Sequence, residues 1–99
     1  MKKEFTIYKT KQDDGRYLLE AFVGDHIIGS NCEEQALDSV IKNFNNTLSR
    51  IKEFGADYAM CAIDGIGREK YSEKEMQKMY DKVMFHSTLK EEFPVEEVE

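Results

Sequence analysis

The chain has 99 residues, of which 40% are hydrophobic and 34% charged, and its formal net charge is −6. That length suits one domain with a modest core, and that balance excludes a disordered or fibrous chain. No apolar run approaches the roughly 18 residues of a membrane span, and the start, Met1 to Phe5, lacks the apolar stretch of a secretory signal, so a cytoplasmic protein is expected.

Phe5 to Lys11 alternates β-branched and aromatic residues and reads as a first strand. Asp13-Asp14-Gly15 follows as a three-residue hairpin loop, in which a type I turn over the aspartates is closed by Gly15 at positive φ. Tyr17 to Val23 is the second strand. Gly24-Asp25 places glycine where a two-residue type II′ turn wants it, and His26 to Ser30 is the third strand. These loop lengths put Phe5, Ile7, Leu19, Ala21, Val23 and Ile28 on one face, with Tyr17 and His26 at its margins. The opposite face carries Thr6, Tyr8, Thr10, Leu18, Glu20, Phe22 and Ile27. A fully solvated face alternates polar residues more strictly, so Tyr8, Leu18, Phe22 and Ile27 want a cover.

A long helix is expected from Glu33 to Phe54. Leu37, Ile41, Phe44, Leu48 and Ile51 recur at spacings of 4, 3, 4 and 3, the stripe of a helix burying one side. Ser30 with Glu33, or Asn31 with Glu34, fits a capping box, and Gly55 supplies the stop. Tyr58 to Ile63 (YAMCAI) is apolar on both parities, which predicts a fourth strand flanked on both sides and parallel to a neighbour. Asp64-Gly65-Ile66-Gly67 is a loop. Ser72 with Glu75 is another capping box, and Met76, Met79, Tyr80, Val83 and Met84 make a second helical stripe, to about Leu89.

The predicted architecture is α+β: a mixed sheet in the order β-β-β-α-β-α, with the long helix across one face. Residues 1–90 form a single domain, and 91–99 an acidic, flexible tail. By segment, 1–16 carry +2, 17–56 carry −3, 57–90 are neutral and 91–99 carry −5. Such a tail suits a partner with a basic surface.

Few residues invite chemistry. Cys32 sits beside a helix start, where a thiol pKa can fall, but a small half-buried residue is the better reading; Cys61 reads as core. Both are expected as reduced thiols. His26, His86 and the cysteines lack metal-ligand spacing, so no metal and no cofactor are expected. Gly65-Ile66-Gly67-Arg68 lacks the third glycine and the lysine of a phosphate loop, and Asp13 and Asp14 are turn formers first. No catalytic residue is assigned, and the chain reads as a non-enzyme. The methionines fill a core or form an adaptable binding surface.

Two stretches resemble known families. Phe22-Val23-Gly24-Asp25 and Ile27-Ile28-Gly29-Ser30, leading into a helix, locally resemble the second half of a double-stranded-RNA-binding domain. That family's lysine cluster at the helix start is replaced here by Glu33-Glu34-Gln35-Ala36, so RNA binding is not carried over. Asp13-Asp14-Gly15 and Tyr17, with three short strands and Glu33-Glu34-Gln35-Ala36-Leu37 opening a helix, resemble the N-terminal half of HicB-type antitoxins. This resemblance implies three strands, a helix and a further strand, in a protein that shields a small toxic RNase. The family's proline and Gly-Cys pattern before the third strand is missing, as is a recognisable C-terminal DNA-binding module.

The function expected is therefore that of an inhibitor or antitoxin-like protein of phage or mobile-element type, binding a protein partner. Tyr8, Leu18, Phe22 and Ile27 on the free sheet face, Met76 and Met79 on the second helix, and Glu96 and Glu97 in the tail are the candidate contacts. A homodimer would also cover the free face. The alternatives are a small-ligand-binding or regulatory domain and, behind it, a nucleic-acid-binding protein.

Overall fold

Gln12 and Arg16 close the first hairpin as the loop residues dictate. In the computed structural model, which describes residues 2–99, the Gln12 N–H donates to the Arg16 carbonyl at 2.8 Å and the Gly15 N–H to the Gln12 carbonyl at 3.0 Å. Gly15 has φ +86°, which an L side chain resists. This three-residue loop joins β1 (Ile7–Lys11) to β2 (Tyr17–Val23), antiparallel, with Lys11 opposite Tyr17 and Tyr8 opposite Glu20. The Gly24-Asp25 turn then joins β2 to β3 (His26–Cys32), with Val23 opposite His26. Gly24 has φ +57° and Asp25 has no positive φ, the type II′ pattern. The predicted faces follow: Ile7, Leu19, Ala21 and Val23 share one side and all are buried.

The first strand starts two residues later than expected. Phe5 has φ +55°, unusual for an aromatic residue, and its ring stacks on Phe93 with centroids 5.5 Å apart. Extended backbone begins only beyond it.

The fold is α+β with a mixed four-stranded sheet and a long helix against it, but the fourth strand lies elsewhere than the sequence pattern placed it. Tyr58 to Ile63 is not a strand; it forms most of helix α2 (Ala56–Asp64). Alanine and methionine favour a helix, and a short apolar run has no periodicity to separate a buried helix from a buried strand. Gly65 ends α2 in the left-handed region, its N–H bonded to the Cys61 carbonyl. The fourth strand is β4 (Val95–Val98), inside the segment expected as a flexible tail. It pairs parallel to β1, with Ile7 opposite Val95 and Thr10 opposite Val98, and the Ile7 N–H donates to the Pro94 carbonyl at 2.8 Å. The sheet order is β3-β2-β1-β4. Phe93, 7% exposed, anchors this return, and its N–H donates to Asn45 Oδ1 at 2.8 Å.

The long helix begins with a 3-10 turn over Glu34–Ala36 and continues as α1 (Leu37–Phe54). Neither capping box expected at its start forms: Ser30 and Asn31 are still in β3, and Glu33 caps the turn without a side-chain hydrogen bond. Backbone pairing with β2 holds those residues in extended conformation, so their side chains have no helix end to cap.

The chain divides into two compact units, one of residues up to Leu48 with Glu91–Glu99, the other Ser49–Lys90. In the sheet unit, Phe44 and Leu48 of α1 are buried with the inner sheet residues. In the helical unit, α2 and α3 (Glu73–Phe85) build a core of Cys61, Ala62, Met79 and Val83. Helix α3 opens with the predicted capping box: Ser72 Oγ accepts from the Glu75 N–H and Glu75 Oε1 from the Ser72 N–H, both at 3.1 Å. It ends at Phe85, four residues short of the expected Leu89.

Candidate protein-binding surface

Pairing registers assemble the sheet face opposite Ile7, Leu19 and Ala21 directly. Glu96, Tyr8, Glu20 and Gly29 form one row across the sheet, Val98, Thr10, Leu18 and Asn31 the next, and Phe22 with Ile27 a third. Tyr8, Leu18, Phe22 and Ile27 therefore do lie on one face. They differ in availability. Tyr8 is buried: its hydroxyl accepts the Lys3 N–H at 2.7 Å, and Lys2 Nζ lies 4.3 Å from its ring centroid. The Tyr8 ring meets Phe22 edge-on at 5.9 Å, and Phe22 and Leu18 are half-buried. Ile27 is 67% exposed. An isolated exposed isoleucine is ordinary; one paired across strands with a half-buried phenylalanine starts a patch.

Glu96 and Glu97 lie on β4 with partners of their own. Lys3 Nζ is 3.6 Å from Glu96 and Lys9 Nζ 3.1 Å from Glu97. Both pairs are exposed on the glutamate side, so they contribute little to stability, but they place acidic groups along an outer strand. Counted by unit, the sheet unit holds thirteen acidic and six basic side chains, and the helical unit seven and eight. The acidity assigned to a tail is carried by the sheet.

In the helical unit, Met79 is 5% exposed and belongs to the core. Met76 is half-buried against the same cluster, with the Cys61 Sγ 3.7 Å from its Sδ. The exposed apolar groups of α3 are instead Tyr80, 40% exposed, and Phe85, 70% exposed, whose rings meet at 6.1 Å. Phe85 was not singled out from the sequence. Its signal was an aromatic residue off the Met76–Met79–Val83 stripe, where a helix normally carries polar groups. Beside Tyr80 an open groove of about 510 Å³ is lined by Met76 with Asp64, Arg68, Glu73 and Gln77.

The residues weighed for chemistry stay apart. Cys32 is the last residue of β3, buried on the inner face directly before Glu33, the cap of the 3-10 turn that opens the long helix. Cys61 is buried in α2. No group of histidine, cysteine and carboxylate side chains with metal-holding geometry occurs among the described residues. Among the described residues, the carboxyl of Glu53 has its pKa lowered. The Leu89 N–H, at 3.0 Å, is the largest cause holding its carboxyl below the usual range; burial opposes this, and the N–H and hydroxyl of Thr88 reinforce it. That carboxylate pins the segment after α3.

No family model matches this sequence, and no curated protein or solved structure matches it.

Proposed function

We propose that this chain is a small non-enzymatic protein-interaction module, an inhibitor or antitoxin-like protein of the short acidic kind that phages and mobile elements encode, acting in the cytoplasm. The observation that carries this reading is the sheet face on which Phe22 is half-buried and Ile27 stands 67% exposed. Apolar side chains held on a rigid sheet make an anchor with little ordering cost. The surplus of acidic groups in the same unit favours a partner with a basic surface and disfavours nucleic acid. Three strands leading into a long helix keep the element order of the HicB-type half-domain, and helical Tyr58–Ile63 departs from it. Glu96 and Glu97 supply charge at the sheet margin, and Met76 lies at a separate groove.

The test is capture of partners from the native host by wild type, Phe22→Glu and Ile27→Glu, with circular dichroism to establish folding. Both variants lose the captured protein while keeping the wild-type spectrum. Undiminished capture by both removes this face from the function. The groove beside Tyr80 favours a second reading, a small-ligand-binding or regulatory domain, for which Met76→Trp would fill the site and abolish binding.

A further inference from the structure

The two edges of the sheet are built differently. On β4, two of four residues are glutamates, and pairing that strand antiparallel with a copy of itself sets Glu96 against Glu97. Such charge protects an edge from further strands. The other edge, β3, reads His-Ile-Ile-Gly-Ser-Asn-Cys over seven residues, without a lysine, arginine, carboxylate or proline. The two-residue turn makes Val23 and His26 a hydrogen-bonded pair, so alternate residues His26, Ile28, Ser30 and Cys32 direct their backbone groups to β2. Ile27, Gly29 and Asn31 direct theirs outward, and all three are exposed. A long, uncharged outer strand of this kind is a template for another strand.

We propose that β3 is a self-association edge, through which two copies of this chain pair antiparallel about Ile28. This inference rests on the two edges and not on the function proposed above. The register suits a second copy as occupant, because it repeats itself about Ile28 and sets no like charges opposite each other. Ile28 faces Ile28 of the other copy, His26 faces Ser30, and Asp25 faces Asn31. The exposed Ile27 faces Gly29, whose missing side chain leaves room for it. Shifting the centre to Gly29 would set Asp25 against Glu33, a like-charge pair that disfavours the alternative. The outward N–H and C=O groups of Ile27 and Gly29 then bond across the two-fold axis. That axis stands perpendicular to the sheet, so two four-stranded sheets become one of eight strands, with both Phe22–Ile27 faces on the same side.

Light scattering across a concentration series, combined with amide hydrogen exchange followed by NMR, tests this. The expected mass is twice that of the chain at high concentration, with the Ile27 and Gly29 amides exchanging about tenfold or more slowly than in the dilute protein. Gly29→Pro removes an outward N–H without touching a bond to β2, and Ile27→Lys brings two cations near the axis; each yields a monomer. A monomer at millimolar wild-type concentration overturns the proposal. So does a dimer in which the Ile27 and Gly29 amides exchange freely, which would be joined through a face, or a dimer that survives both substitutions. If Gly29→Pro does not fold, Ile27→Lys and the wild-type exchange pattern still decide.

Discussion

The sheet unit draws on both ends of the chain, whereas the helical unit is one uninterrupted stretch, Ser49–Lys90. Chain ends therefore matter differently to the two. In the sheet unit the last strand returns beside the first, and the loop it closes spans most of the sequence. In the helical unit contacts are local: a capping box, a left-handed glycine and a four-residue core cluster suffice to set α2 beside α3. The sheet unit also carries all of the excess acidity and the exposed Ile27, while the helical unit is close to neutral and exposes Tyr71, Tyr80 and Phe85. Excess charge thus lies on one unit, while the other is nearly balanced.

Substitutions can break or sharpen that contrast. Phe93→Ala gives the largest expected effect, about 3–5 kcal/mol in urea denaturation, because it empties a buried aromatic site and loosens β4. A change below about 0.5 kcal/mol would show that the C-terminal return is not integral to the sheet. In the helical unit Met79→Ala should cost about 2–3 kcal/mol, whereas Phe85→Ala should stay within about 0.5 kcal/mol. Equal effects from these two would contradict the division between core and surface on α3. Ser72→Ala should cost about 1 kcal/mol, the worth of one helix cap, measured in the same way.

The smallest effect concerns pH. Glu53 has a lower pKa folded than unfolded, so between those values the unfolded chain binds more protons and stability rises with pH. Its contribution is present above the ordinary carboxylate pKa near 4.5 and is lost as pH falls through the lower folded value. Glu53→Gln should flatten the acid limb of the stability profile and speed exchange of the Thr88 and Leu89 amides. An unchanged acid limb would mean the clasp contributes nothing.

Much of the sheet was legible because its signals are local. Asp13-Asp14-Gly15 and Gly24-Asp25 set loop lengths, and loop lengths set which of Leu18 and Leu19 points inward. The stripe from Leu37 to Ile51 likewise announced a helix. Tyr58 to Ile63 misled because a run buried on all sides carries no period, and its alanines decided for helix. β4 was hidden by composition: Glu96 and Glu97 look like solvated tail, yet on an outer strand charge is protective. Only Phe93, an aromatic among acids, marked the return. Of the candidate contacts, parity alone found Leu18, Phe22 and Ile27 as neighbours, whereas the burial of Tyr8 depends on Lys2 and Lys3, which no periodicity places. Helical spacing identified Met79 but could not separate core from surface as Phe85 does.

The proposed function assigns recognition to the sheet face that carries Phe22 and Ile27. Amide chemical-shift mapping of the isotopically labelled chain against its captured partner tests it most directly. Perturbations are expected to concentrate at Leu18, Glu20, Phe22 and Ile27, with α3 unmoved. Perturbations confined to Tyr80, Phe85 and the groove beside them would contradict it.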